Sequence, residues 1–140
     1  MTKQDITDGL KEVVRAEVVG NYAHIFVYRI PERQHEALLN VQTKLSKIYK
    51  RHGALSTHVY QLGRTNVFDG FEGFEKALGT SASGEEIWIE VDTYKDASDF
   101  GRAVAEIGAD ADAGILWGEL AQIMATKPII MGEFARLAKE

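Results

Sequence analysis

The sequence predicts an α+β fold with a core in the order β-α-β-β-α-β, an N-terminal helix before it and an extra helix before its last strand. Two observations predict this fold. Three segments alternate apolar residues with a period of two, as strands do, and four segments repeat them every three or four positions, as amphipathic helices do. With 140 residues, 45% of them hydrophobic, the chain can bury one core without disulfides. We therefore expect a single domain over residues 1–140.

The first half of the chain predicts two helices and two strands. Apolar spacings of three and four predict a short helix over Asp5–Val19. Tyr22–Ile30 alternates as a strand. Pro31 can open a helix, since that position needs no N–H, and a continuous apolar stripe then runs to a terminating glycine, Gly53. Ala54–Leu62 alternates again and predicts the second strand.

The second half begins with a long loop, which in a compact domain usually means a function or a local elaboration. A third strand follows, and then two helices and a last strand. The predicted elements are the loop Gly63–Gly84 with a helical patch at Phe74–Leu78, the strand Glu85–Tyr94, a helix from the capping Asp96 to Gly108, the connector Ala109–Gly114, the extra helix Ile115–Ala125 and the strand Lys127–Phe134.

Composition excludes several classes of function. The chain has no cysteine, which excludes thiolate nucleophiles and Cys-ligated metal centres. Its formal charge of −5 argues against binding to nucleic acid or to anionic membranes. The N-terminus is polar, and no apolar run reaches the ~20 residues that a membrane span needs. We therefore expect a cytoplasmic protein.

The two faces of the predicted sheet differ in composition. Aliphatic residues share one face and suit packing beneath helices: Ala23, Ile25, Val27, Leu55, Val59, Ile87, Ile89 and Val91. Helices cover only one face of a β-α-β-β-α-β sheet, and the other face is too aromatic to meet water alone. We expect the sheet of a second subunit, a ligand or both to cover it.

Nine residues of this aromatic face form the candidate site. Two imidazoles and a carboxylate suit acid–base catalysis or a metal site, and the candidate catalytic residues are His24, His58 and Glu90. The candidate ligand-binding residues are Tyr22, Phe26, Tyr28, Tyr60, Trp88 and Asp92. No metal is assigned, because spacing across separate strands is not diagnostic. The alternative is that these residues only complete a dimer interface.

Three stretches resemble the dimeric α+β barrel superfamily, whose subunits are ferredoxin-like. They are Lys50–Leu55, the strand Glu85–Tyr94 and the closing Ile130–Phe134. Over residues 22–136, after an N-terminal helical extension at 1–20, the chain is most similar to the uncharacterised YbaA-like bacterial proteins. The resemblance implies a homodimer whose two sheets face each other across a barrel.

Three functions follow as expectations from that resemblance. The preferred one is that the barrel cavity binds or transforms a small organic molecule, with no cofactor assigned. A non-catalytic homodimeric module is one alternative. The superfamily also includes cofactor-independent monooxygenases, so an enzyme of that type is the other alternative, and fold alone does not decide among them.

Overall fold

The computed structural model describes residues 17–64, 68–78, 84–124 and 129–137. These residues form a mixed α+β structure. In chain order its elements are β1 (Tyr22–Pro31), a 3-10 turn (Glu32–Gln34), α1 (His35–Arg51), β2 (Ser56–Gln61), the one-turn helix α2 (Phe74–Ala77), β3 (Glu85–Tyr94), α3 (Ala97–Gly108), α4 (Ala111–Ile123) and β4 (Ile130–Ala135).

The four strands form one antiparallel sheet in the order β2-β3-β1-β4. The central strands β1 and β3 pair along their whole length, from Tyr22 opposite Tyr94 to Pro31 opposite Glu85. The shorter strands β2 and β4 are the two edges. Because side chains alternate between the two sides of a strand, this register determines which residues share a face.

The three long helices pack on one face of the sheet through the apolar stripes that the sequence predicts. Spacings of three and four place the buried residues of each helix on one side. The buried stripes are Leu38, Val41, Leu45 and Ile48 in α1, and Phe100, Ala103 and Ile107 in α3. All of them except Leu38 form one apolar cluster with Tyr94 and Leu116, and Leu38 belongs to a second cluster with Tyr28 and Trp88. Among the described helices, none is both long and apolar enough to cross a membrane.

Two predicted boundaries are wrong. Residues 109–114, predicted as a connector, contain the first turn of α4. The Asp110 carboxylate accepts hydrogen bonds from the backbone N–H groups of Asp112 and Ala113 at 2.9 and 3.3 Å, and so caps the helix early. Pro31 closes β1 instead of opening a helix, and α1 starts only after the 3-10 turn.

On the central strands β1 and β3 the faces are the reverse of those predicted, whereas β2 has its predicted orientation, with Val59 beneath the helices. The face beneath the helices, here called the covered face, carries Tyr22, His24, Phe26, Tyr28 and Ile30 of β1 and Trp88, Glu90, Asp92 and Tyr94 of β3. Trp88 is 2% exposed and packs with Tyr28 and Leu38. Each aromatic side chain buries about 150–250 Å², so placing this face beneath the helices buries more apolar surface than the aliphatic face would.

The other side of the sheet, here called the open face, is mainly aliphatic. β1 and β3 contribute Ala23, Ile25, Val27, Ile87, Ile89 and Val91 to it, and the edge strands contribute His58, Tyr60, Ile130 and Phe134. Phe134 is 54% exposed. At one end of the open face there is an apolar cavity of about 230 Å³. Its lining includes Phe74 of α2, Val27 and Ile87. The long helices lie on the opposite side.

Most of the helix predicted over Asp5–Val19 lies outside the described residues. Within it, residues 17–19 form neither helix nor strand, and neither does Gly20. The Gly20 N–H donates to Thr93 Oγ1 at 2.9 Å, and a Cβ at Gly20 would lie 2.1 Å from the carbonyl oxygen of Tyr94. The glycine is therefore required by a close approach to β3 rather than by the end of a helix.

Candidate functional site

A cavity of about 250 Å³, here called the helix-side cavity, lies between the covered face and the helices. Its lining residues are His24, Phe26, Tyr49, Asp92, Tyr94, Val104, Ile107, Trp117 and Met131. Asp92 is buried at the sheet, whereas Val104, Trp117 and Met131 are exposed and border the mouth. Since an engineered cavity of about 150 Å³ binds benzene, this cavity has room for one aromatic ring with a substituent.

Two buried carboxyl groups, Glu90 and Asp92, lie on the same side of β3, 5% and 2% exposed, and Asp92 lines the cavity. Glu90 is hydrogen-bonded to Asp92, Gln42 and Tyr28, and Gln42 Nε2 also donates to the Tyr28 hydroxyl at 2.8 Å. Burial raises the pKa of Asp92 to about 10, with further contributions from the hydrogen bond and the charge of Glu90. Burial also raises the pKa of Glu90, but its hydrogen bonds oppose that rise. The pair therefore carries its proton on Asp92.

One oxygen of this pair has no hydrogen-bond partner. In the part of the chain that the structure describes, Oδ1 of Asp92 is buried without any donor in reach. Nearly all buried polar atoms in proteins are hydrogen-bonded, and leaving one unpaired costs about 1–3 kcal/mol. Because Asp92 lines the helix-side cavity, a bound molecule can supply the missing donor.

His24 lies directly opposite Asp92 on the neighbouring strand and lines the same cavity. Its ring centroid is 4.2 Å from that of Phe26 and 5.0 Å from that of Phe100. Burial lowers the pKa of His24, and the charge of Glu133 opposes this only in part. The imidazole is therefore neutral at neutral pH, so that a proton acceptor stands beside a protonated carboxyl group.

Aromatic side chains form most of the remaining wall. Trp117 Nε1 of α4 donates to the Tyr49 hydroxyl of α1 at 3.0 Å. Burial raises the pKa of Tyr49 and of Tyr94, so both phenols are neutral. Among the described residues the lining contains no lysine and no arginine. The walls outside the sheet are therefore uncharged, and their polar groups are the Tyr49 hydroxyl and the Trp117 indole N–H.

Part of the site predicted from the sequence is brought together by the fold. His24, Phe26 and Asp92 line the helix-side cavity, Glu90 is hydrogen-bonded to Asp92, and Tyr28 is hydrogen-bonded to Glu90. These five side chains lie within one molecule, beneath its helices. The expectation that they face a partner subunit across a barrel is wrong for this face.

Two predicted residues, His58 and Tyr60, lie on the open face. The register pairs His58 with Val91, so that the structure does not bring it together with His24 or Glu90. Its imidazole Nε2 is instead 2.6 Å from a carboxylate oxygen of Glu17, which precedes β1. The predicted faces of β2 are correct, with Val59 beneath the helices. His58 is separated from His24 and Glu90 because the faces of β1 and β3 are the reverse of those predicted.

The remaining two predicted residues, Trp88 and Tyr22, lie on the covered face but outside the cavity lining. Trp88 Nε1 donates to a Glu86 carboxylate oxygen at 2.9 Å, and the Tyr22 hydroxyl donates to Glu133 at 2.5 Å. Both side chains hold neighbouring elements together and do not reach the cavity.

Sequence reasoning missed Tyr94 on β3. It also missed every lining residue that lies outside the central strands. They are Tyr49, Val104, Ile107, Trp117 and Met131. Only Tyr49 carries a detectable signal, because it directly follows the buried stripe of α1 and adds an aromatic ring at its edge. The others depend on how α3, α4 and β4 pack against the sheet.

The described residues contain no group of three or more His, Asp or Glu side chains that could hold a metal ion. Beside the hydroxyls of Tyr49 and Tyr94 and the indole N–H of Trp117, the polar groups of the cavity are one carboxyl group and one imidazole. They can hydrogen-bond a small molecule, and they can add or remove a proton.

No protein-family model and no curated protein matches the chain, so the resemblance to YbaA-like proteins gains no support. Solved structures are similar at low identity. The designed protein Foldit4 is 11% identical, with a TM-score of 0.47 over 83% of this chain and 98% of its own. A dimeric ferredoxin-like protein from an uncultured marine organism is 13% identical, with a TM-score of 0.48 over 85% and 98%. SnoaB, a cofactor-independent oxygenase from Streptomyces nogalater, is 16% identical, with a TM-score of 0.42 over 84% and 95%.

Proposed function

We propose that the protein is a homodimer of ferredoxin-like α+β subunits and that each chain binds a small organic molecule in its helix-side cavity. The observation that carries the binding role is Oδ1 of Asp92, a buried oxygen without a described donor in a cavity large enough for a ring. In this proposal residues 22–136 form the core of a single domain and residues 1–20 extend it.

The roles of the lining residues follow from their chemistry. Asp92 hydrogen-bonds the ligand, and Glu90 holds Asp92 in place through the hydrogen bond between the two carboxyl groups. Phe26, Tyr49 and Trp117 contact an apolar ring, since ligand sites are mostly apolar with a few placed polar groups.

The open face supports the homodimer. A stable interface buries about 800 Å² on each partner. The sheet alone covers roughly 500 Å² in plan, from four strands about 4.8 Å apart with a mean length near 27 Å, and its side chains make the accessible area larger. Ile130 and Phe134 at its edge are more than half exposed, and an exposed apolar patch of several hundred Å² is often a functional surface. A face that is complementary to itself fits a second copy of the chain.

Proton transfer is a second candidate function, and the position of His24 favours it. A neutral imidazole stands opposite a protonated carboxyl group in the same cavity, which is the arrangement that a base and an acid need. The test compound is phenylacetone. If proton transfer is the function, we expect the wild-type chain to exchange the methylene protons of phenylacetone for deuterium faster than His24→Gln does.

The binding role is tested by closing the mouth of the cavity. Val104 borders the mouth, and its neighbour Ala105 is exposed and does not line the cavity. We expect Val104→Trp to abolish binding of single-ring aromatic compounds in saturation-transfer NMR, and the matched control Ala105→Trp to keep it. The probes are benzylammonium, benzyl alcohol and benzoate. If none of them binds the wild-type chain, or if Val104→Trp binds as well as Ala105→Trp, the cavity is not the site.

A further inference from the structure

The charged groups that the described residues place next to the helix-side cavity are acidic. Glu90 lies outside the lining, hydrogen-bonded to Asp92, and with Asp92 it lines a separate cavity of about 30 Å³. Glu133 lies opposite His24 at the edge of the sheet, close enough to influence it. His24 itself is neutral, and among the described residues no lysine or arginine lines the helix-side cavity. A positively charged ligand therefore meets acidic groups and no described basic group.

The Glu90 carboxyl group has no cationic partner among the described residues. None of the ion pairs among the described residues involves Glu90. Its three hydrogen bonds come from Asp92, Gln42 and Tyr28, all of them neutral groups. A buried charge that meets only neutral groups gains strongly from an opposite charge nearby.

We propose that the ligand of the helix-side cavity is a small organic cation, an ammonium group attached to a single ring. This inference rests on the proposed function and specifies its ligand class. One N–H of the ammonium donates to Oδ1 of Asp92, the buried oxygen that lacks a donor. Its positive charge lies near Glu90, and its ring is held among Phe26, Tyr49 and Trp117, which are residue types that favour organic cations.

Other ligand charges fit less well. A neutral donor such as an alcohol satisfies Oδ1 of Asp92 and leaves the charge of Glu90 uncompensated. A carboxylate brings a second negative charge and no donor to a cavity without basic residues. The cavity therefore selects its ligand by charge in addition to size.

Three probes of similar size and different charge test this selection on the intact chain: benzylammonium, benzyl alcohol and benzoate, with the affinities measured by calorimetry or NMR titration. We expect benzylammonium to bind at least about tenfold more tightly than benzyl alcohol, and benzoate not to bind. Equal binding of the alcohol and the ammonium, or tighter binding of benzoate, overturns the cation assignment and leaves the cavity as a binding site. No binding of any probe refutes the binding function itself.

One isosteric variant identifies the group that is responsible. Glu90→Gln replaces the carboxyl group with a neutral amide and should weaken benzylammonium at least about tenfold. The control Glu119→Gln removes an exposed carboxylate of α4 outside the cavity and should change nothing. Equal affinity in Glu90→Gln and wild type contradicts the inference; if Glu90→Gln does not fold, the three-probe comparison on the wild type decides.

Discussion

The covered and open faces of the sheet differ in the chemistry of their side chains. The covered face carries aromatic rings, an imidazole and two carboxyl groups, and it borders the helix-side cavity. The open face is aliphatic, with Ile25, Val27 and Val91 along its centre. The usual expectation places polar groups outside and aliphatic groups beneath helices. In the proposed function, the polar groups beneath the helices meet a ligand and the aliphatic groups outside meet another subunit.

The inversion is possible because the buried acids do not both carry charge. Asp92 holds a proton and is hydrogen-bonded to Glu90. Glu90 is also hydrogen-bonded to Gln42 and Tyr28, which are neutral. Two bare carboxylates at these positions would repel each other and lose their hydration. The covered face thus tolerates two acids as one singly charged unit.

The largest expected effect comes from placing a charge on the open face. Ile25→Glu puts a carboxylate at the centre of the proposed interface, and burying it there without a partner costs about 3 kcal/mol or more. We expect multi-angle light scattering to give a dimer for the wild type and a monomer for this variant.

The control for that experiment is Ile115→Glu. Ile115 is 64% exposed on α4, on the helix side of the molecule, and its substitution should leave the dimer intact. A monomeric wild type contradicts the assigned role of the open face, and so does a dimer that survives Ile25→Glu.

On the covered face, Asp92→Asn should change the pH dependence of stability. The folded protein holds a proton on Asp92 up to about pH 10, whereas the unfolded chain loses it near its ordinary pKa of about 4. The unfolding free energy of the wild type therefore falls as the pH rises between these values, by at most about 1.4 kcal/mol per pH unit.

The Asn variant has no such proton, so we expect it to be more stable than the wild type at pH 8 and similar to it near pH 4, in urea denaturation. Asp69→Asn, at an exposed turn, is the matched control and should show a constant difference. A constant difference for Asp92→Asn as well would show that Asp92 is ionised in the folded state.

A smaller effect is expected from Tyr28→Phe. The Tyr28 hydroxyl accepts a hydrogen bond from Gln42 and is bonded to Glu90, so its removal leaves buried polar groups unpaired. We expect a loss of about 1–3 kcal/mol in unfolding free energy. Tyr60→Phe, on the exposed edge of the open face, is the control and should cost much less. Similar losses in both variants would argue against the buried network.

The smallest effect concerns His35 at the start of α1. Its Nδ1 lies 2.7 Å from a Glu86 carboxylate oxygen, and this hydrogen bond raises the pKa of His35. The stabilisation is complete below the ordinary pKa of about 6.5 and is lost as the pH rises through the raised value. We expect His35→Gln to be less stable than the wild type near pH 5.5, with a difference that shrinks toward pH 9. A difference that does not vary with pH would contradict this ion pair.

The sequence predicts the secondary structure well, because each element follows from its own apolar spacing. The stripe of α1 and the alternation of β1 and β3 need no tertiary information. It does not predict the faces, since both faces of β1 are largely apolar and the acids of β3 suggest a solvent-facing side. Arg29 was an available signal, because it lies on the same side of β1 as Val27 and marks that side as open. The contributions of Val104 and Trp117 depend on helix packing, which local patterns do not contain.

The most direct test of the central claim uses the protein's two tryptophans as reporters. The Trp117 indole N–H lies at the helix-side cavity, and the Trp88 indole N–H donates to Glu86 outside its lining. The two signals in a ¹H–¹⁵N spectrum are assigned with Trp117→Phe, and benzylammonium, benzyl alcohol and benzoate are then titrated in turn. We expect at least one probe to shift the Trp117 signal in a saturable manner while the Trp88 signal stays in place. No shift of Trp117 with any probe, or an equal shift of Trp88, would contradict binding in this cavity.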